Sequence, residues 1–212
     1  MASIFGDKYC FVHIPKCGGK WVRKVLQDES LDYTKDVSDG HAPAPDDLPE
    51  GLVSFCFIRH PASWLASWWA HCERHGWANE GPMPEDFDLV KPYHWMQTIT
   101  ARHRGERFEE FVHNLEGARP GFVAKFFKPF IDSVDLVGQQ ETLREDLGTI
   151  TGRTFSQPPF NVGLNRPTPS PEIVRYVASQ EPIEALGYGG ELHPKAVSRR
   201  RRSLDTLTVE SV

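Results

Sequence analysis

Two stretches of the chain are continuously apolar, and each runs into a turn followed by a helical pattern. Tyr9 to Ile14 (YCFVHI) reads as a short buried strand bounded by Pro15. Gly18 and Gly19 make a turn. Lys20 to Gln27 then sets Trp21, Val22, Val25 and Leu26 on one helical face. Leu52 to Ile58 (LVSFCFI) is the second run, closed by Arg59 and His60. Pro61 fits a first helical position, and Trp64, Leu65, Trp68, Trp69 and Cys72 recur at helical spacing behind it. Strands without polar alternation suit a parallel sheet covered on both faces. Strand, turn and helix in that order, twice over, predict a βαβ-type sheet.

The remaining pattern is weaker. Asp28 to Gly51 is polar and rich in Pro and Asp, which predicts mostly loop, and Gly76 to Pro92 reads as irregular. Arg107 to Leu115 reads as a short amphipathic helix, Val134 to Val137 as a strand closed by Gly138, and Thr142 to Thr151 as a helix. Gln157 to Pro171 holds five prolines and reads as loop, followed by two short helices between Pro171 and Leu186. Residues 1–192 are expected to form one α/β domain, and 193–212 a polar, Arg-rich, flexible tail.

Composition narrows the classes. Of 212 residues, 39% are hydrophobic and 25% charged, enough for a core and against wholesale disorder. No run reaches the roughly 18 apolar residues of a membrane span. MASIFGDKYCFVHIP lacks a basic start followed by an apolar stretch, so no secretory signal is read and a cytoplasmic location is the expectation. Net charge is −5, and five of the positives (Lys195, Arg199 to Arg202) sit in the tail, which makes the body more acidic still. An acidic body argues against nucleic acid as a partner, and nothing points to a membrane surface. Cys10, Cys17, Cys56 and Cys72 form no C-x-x-C pair, so buried free thiols are expected. The nearest approach to a zinc site is Cys72 with His71 and His75, too few ligands for one, and no metal is expected.

The chemistry lies in the two turns. His13-Ile14-Pro15-Lys16-Cys17-Gly18-Gly19-Lys20-Trp21 leaves a strand, turns on two glycines and enters a helix. Backbone N–H groups there face outward at the positive end of the helix dipole, a ready anion site with Lys16 and Lys20 at its mouth. Read against G-x-x-x-x-G-K-[ST], the segment has Ile14 in place of the first glycine and Trp21 in place of the magnesium-binding hydroxyl. That counts against a kinase. In the second turn Arg59 ends a strand and Ser67 follows eight residues later, a guanidinium and a hydroxyl suited to clamping phosphate. The plain alternatives are a glycine turn with solvated lysines, a capping arginine and a helix-packing serine.

PKCGG after the first strand and FIRHPASWLASWW after the next resemble the cytosolic and Golgi-type sulfotransferases, which use 3′-phosphoadenosine 5′-phosphosulfate. Arg59, Pro61 and Ser67 match the spacing of that family's second motif. Val134 to Gly138 with Glu141, Asp146-Leu147 and Leu186-Gly187-Tyr188 are similar in a looser way. Cys17 and Lys20 stand where the family has small hydroxyl residues, and His60 where it has Asp or Asn.

The resemblance implies a three-layer, P-loop-like α/β fold, with a central parallel sheet flanked by helices. It implies transfer of a sulfuryl group from 3′-phosphoadenosine 5′-phosphosulfate to a hydroxyl or amine, leaving 3′,5′-adenosine bisphosphate, on a small-molecule or glycan acceptor. Lys16, Cys17, Gly18, Gly19, Lys20 and Trp21 would hold the 5′-phosphosulfate, with Lys16 catalytic, and Arg59 and Ser67 the 3′-phosphate. The acceptor's base is expected in DVSDGHAPAP: His41 first, since histidine titrates near ~6.5, with Asp39 and Asp36 as alternatives. Trp68, Trp69, Trp77, Tyr93 and Trp95 are candidates for the acceptor wall or for plain core, and Asn161, Asn165 and Arg166 for a loop over the nucleotide. The rival readings are a nucleotide-binding module without catalysis and, further off, a P-loop kinase.

Overall fold

The computed structural model describes residues 2–28, 33–37, 41–78, 91–159 and 166–188, and the backbone of 198–199. Its strands are β1 (Ala2–Phe5), β2 (Tyr9–Val12), β3 (Tyr33–Asp36), β4 (Val53–Ile58), β5 (Leu136–Gln139) and β6 (Ser198–Arg199). They form one mixed sheet in the order β3-β1-β2-β4-β5-β6. Only the centre is parallel: β2 pairs with β4 and β4 with β5. The expected parallel sheet therefore covers three strands, and the added strands β1, β3 and β6 run antiparallel to their neighbours.

The physical reason lies in the connections. Parallel pairing needs a long crossover. Helix α1 (Gly19–Asp28) lies between β2 and β4, and α2 (Pro61–His75), α3 (Pro92–Arg102), α4 (Phe108–Ala118) and α5 (Phe122–Asp132) between β4 and β5. By contrast β1 and β2 are joined by the short turn Gly6–Lys8, with Gly6 at φ +58°, so they form a hairpin. β3 lies at a sheet edge, and its Thr34, Lys35 and Asp36 are exposed, which is why the polar stretch Asp28 to Gly51 read as loop. Asp36 accepts a 2.6 Å hydrogen bond from Ser3 Oγ, tying β3 to β1.

The late strand begins two residues beyond its expected start. Asp135 is taken up in a clasp, its carboxylate accepting from Ser54 N–H at 2.9 Å and Ser54 O–H at 2.6 Å. Two further helices close the described chain, α6 (Leu143–Thr151) and α7 (Pro171–Gln180). Helices α2, α3 and α7 each open on a proline, where the missing N–H costs nothing.

The core is strongly aromatic. Phe11, Phe55 and Phe57 line the central strands, while Phe122, Phe126, Phe127 and Phe130 bury one face of α5. Trp64 of α2 meets Phe126 at 5.3 Å between ring centroids. All four cysteines are buried free thiols, as the sequence predicts. Among the described residues no helix is long and apolar enough to cross a membrane. Apart from 198–199, the tail lies outside the described residues.

Candidate functional site

The strand register brings the two turns to one edge of the sheet. Val12 is level with Cys56, and Ile58 with Gln139, so His13, Arg59 and Gln140 all leave from the same end. The tips touch: Arg59 Nη1 donates to the Lys16 carbonyl at 3.2 Å, and the Trp64 indole N–H to the Pro15 carbonyl at 3.0 Å.

Both glycines of the first turn are required by contact. Gly18 has φ +83°, and a Cβ there would lie 2.6 Å from the Leu143 side chain. A Cβ on Gly19 would lie 2.0 Å from the His13 imidazole, which covers the start of α1. Lys16 has φ +66°, a left-handed conformation that a lysine adopts at a cost of roughly 1–3 kcal/mol.

The amides divide into two sets. Cys17 N–H turns back to Ile14 O, and Trp21 N–H to Gly18 O at 3.0 Å. Those of Gly18, Gly19 and Lys20 donate to nothing among the described residues. Three consecutive free N–H groups at a helix start are an anion cradle. The side chains of Cys17 and Trp21 turn inward. The Cys17 thiol, pushed well up by burial, points at the Pro15 carbonyl, and Trp21 packs edge-on against Phe155 in the core. Both therefore shape the loop from behind.

Cations flank the cradle, and the acid whose charge reaches its loop is Glu141, which helps to push the Cys17 thiol up. Lys16 is partly buried, and its ammonium is held below the usual lysine value, first by desolvation and then by Lys20 and Arg74, with the Cys72 and Cys17 thiols acting the other way. Among the described residues neither Lys16 nor Lys20 pairs with a carboxylate. Arg59 is only 7% exposed, also has no acidic partner there, and its Nε lacks any acceptor. Ser67 lies two turns into α2, half-buried, with its hydroxyl bonded to nothing described.

His41 lies beside this cluster. Its Nδ1 is 3.1 Å from the His13 carbonyl, which can only accept, so Nδ1 carries the hydrogen and Nε2 keeps its lone pair. Burial holds His41 below the ordinary histidine value, partly offset by that bond, so it is neutral at pH 7. Its ring lies 4.6 Å from Tyr93 and 4.9 Å from His13. Asp36 is engaged elsewhere, by Ser3 and by Arg23 at 3.6 Å, and Asp39 lies outside the described residues.

Of the five aromatic candidates, Tyr93 alone meets His41. Trp68 stacks on Trp64, with its N–H on Thr100, and meets Tyr93 edge-on. Trp95 packs on Phe122, Trp69 on Phe108 and Trp77 on Phe111. Asn161 and Asn165 lie outside the described residues, and Arg166 is half-buried.

Some residues gain a place only from the fold. His13 is one, and no periodicity marks it. Glu141, named in the sequence only through the looser resemblance, gains a structural role: its carboxylate accepts from the His60 amide at 3.0 Å and from the Tyr188 hydroxyl at 3.2 Å, bracing the second turn from behind. His60 itself is fully buried, held down to about 4 by desolvation, so it stays neutral against Tyr188. Comparison with known proteins found no match among family models, curated proteins or solved structures.

Proposed function

We propose that this chain is a sulfotransferase with a three-layer, P-loop-like fold, moving a sulfuryl group from 3′-phosphoadenosine 5′-phosphosulfate to a hydroxyl or amine. The observation that carries the reading is the cation cluster. An acidic protein gathers Lys16, Lys20 and Arg59 beside three unfilled amides and supplies none of these cations with a carboxylate among the described residues. Desolvating uncompensated cations is costly, and an anionic ligand repays it. The two turns supply donors at two neighbouring points, which suits a ligand with two phosphates.

In this reading the Gly18, Gly19 and Lys20 amides hold the 5′-phosphate, and Arg59 with Ser67 the 3′-phosphate. The acceptor oxygen forms its bond to sulfur as the bond from sulfur to the bridging oxygen breaks. The electron pair leaves with the bisphosphate. Lys16 stabilises the charge growing on that bridging oxygen, an interaction stronger in the transition state than before it. His41 Nε2 takes the acceptor's proton. A neutral imidazole whose Nδ1–H is fixed by a carbonyl suits that role.

A second reading has its own observation. Arg59 is spent in part on the Lys16 carbonyl and is nearly buried, which fits a nucleotide-binding module without catalysis. Calorimetry and a transfer assay separate the readings. Without magnesium, 3′,5′-adenosine bisphosphate should bind at least about 10-fold more tightly than 5′-AMP, since charge-assisted hydrogen bonds contribute ~1.5–3 kcal/mol. Equal affinities remove the roles of Arg59 and Ser67. Tight binding without sulfuryl transfer to any acceptor favours the module.

A further inference from the structure

The second turn is held from behind by a segment that follows α7. Strand β4 fixes the backbone up to Ile58, and α2 takes it up from Pro61. Arg59 and His60 form the link between them. Pro61 carries no N–H, and both ring nitrogens of the fully buried His60 bond nothing among the described residues. The link is pinned instead at the His60 amide, which donates to Glu141 Oε1 at 3.0 Å. Glu141 Oε2 accepts in turn from the Tyr188 hydroxyl at 3.2 Å, and the Tyr188 ring stands edge-on to the His60 ring at 5.5 Å. Tyr188 is itself fixed twice over: its amide donates to Ile183 O at 3.0 Å, and the Gly187 carbonyl before it accepts from Gln139 Nε2 at 3.2 Å. Burial and then the Glu141 charge push the phenol well above its usual value, so the hydroxyl keeps its hydrogen and donates.

We propose that Glu141 and Tyr188 are positioning residues for Arg59, so that the segment after α7 sets how strongly the site selects a ligand with a second phosphate. This rests on the reading that Arg59 and Ser67 meet the 3′-phosphate. A guanidinium pairs with phosphate through a rigid fork of donors, and the pair is strong only when the fork is in register. Arg59 has one Nη on the Lys16 carbonyl and an Nε without an acceptor, so its side chain is restrained by little beyond that bond. The backbone beneath it therefore sets where the remaining donors point, and the clasp of Tyr188, Glu141 and the His60 amide sets that backbone. The amides of Gly18, Gly19 and Lys20 belong to another segment, at the start of α1. A slack clasp thus weakens the hold on the 3′-phosphate and spares the hold on the 5′-phosphate.

The test is calorimetry on the full chain without magnesium, with 3′,5′-adenosine bisphosphate and 5′-AMP each titrated into wild type, Tyr188→Phe, Glu141→Ala and Glu141→Gln. The quantity read is the ratio of the two affinities. Tyr188→Phe removes one hydroxyl and should lower the ratio by about 2–10-fold, the range for one hydrogen bond. Glu141→Ala should bring it to about 1, as the charge-assisted bonds behind the preference are lost, while 5′-AMP binds as in wild type. Glu141→Gln keeps an oxygen for the His60 amide and should stay near the wild-type ratio. A wild-type ratio in folded Tyr188→Phe overturns the proposal, and that variant decides the matter should Glu141→Ala fail to fold. An equal loss of both affinities also overturns it, since that marks a general loosening of the fold. A loss in Glu141→Gln as large as in Glu141→Ala assigns the effect to the charge of Glu141 and overturns positioning. Wild-type protein that binds both nucleotides equally removes the 3′-phosphate role of Arg59 and the proposal with it, whereas a preference unchanged in every variant removes the proposal alone.

Discussion

Two helix starts in this protein use the same backbone device and end differently. At α5 the amides of Val123 and Ala124 donate to the Glu181 carboxylate at 2.6 Å and 2.9 Å. Both carboxylate oxygens are thereby used, in a site only 4% exposed. At α1 the amides of Gly18, Gly19 and Lys20 meet no such group among the described residues. An N-terminal helix end carries a partial positive charge, and an acid side chain beside it is stabilising. The chain supplies that acid at one end, and at the other surrounds the amides with Lys16, Lys20 and Arg59. The first arrangement is complete within the fold. In the proposed reading the second takes its anion from a ligand, and that contrast would separate a structural cap from a binding site.

The comparison can be broken most directly at Lys16. Lys16→Ala should lower sulfuryl transfer by about 10²–10³-fold, the range for losing one donor to a developing charge. Its urea midpoint should hold, because among the described residues the ammonium has no carboxylate partner to lose. Retained turnover would show that the open helix end is not catalytic.

His41→Gln should lower the rate at pH 7 by about 10²-fold, the lower range for a general base. The wild-type profile has a definite sign. Since burial holds His41 below the ordinary histidine value, the rate should be flat above ~6.5 and fall only on the acid side. A variant with full rate and the same acid limb points to Asp39 as the next candidate.

At the filled end, Glu181→Ala should cost roughly 2–3 kcal/mol of stability in urea unfolding, as buried donors lose their acceptor. Bisphosphate affinity of the folded protein should not change. A variant as stable as wild type would mean that the carboxylate does not act as a cap.

A pH-dependent effect is expected at Glu116, fully buried near Glu181. Burial, then the Glu181 charge, pushes its carboxyl up to about 10, so it stays protonated at neutral pH. An unfolded glutamate gives up its proton near the ordinary 4.5. Between those values the unfolded chain holds fewer protons than the folded one, so stability falls as pH rises. Glu116→Gln lacks that slope. The stability difference, variant minus wild type, should therefore grow from about pH 5 to about pH 9, and a constant difference would show that Glu116 is not held protonated by burial.

The central elements were legible because their signals are local. YCFV and VSFCFI are buried on both faces and so carry unbroken apolar runs, and Pro61 marks the start of α2. Helix α5 was not legible as a helix: Pro129 interrupts FVAKFFKPF, yet it falls in the last turns, where the aromatic face already anchors the helix. Strand β3 was hidden by its polar composition, and β1 by its shortness, since four residues establish no period. In the candidate site, the sequence proposes Lys16, the two glycines, Arg59 and His41 from type, spacing and resemblance, and the structure brings the two turns and His41 near one another. Cys17 and Trp21 were assigned to the ligand on position alone, and their side chains face inward.

The amino-acid sequence by itself determined the two turns, their glycines and their cations, because each depends on residues within one short segment. Only the tertiary structure decided that the turns touch, that His13 covers Gly19 and that His41 offers Nε2. It also decided which helix end the chain fills with its own carboxylate. Those are relations between segments separated by tens of residues, and strand register and core packing set them, neither of which leaves a local pattern in the chain.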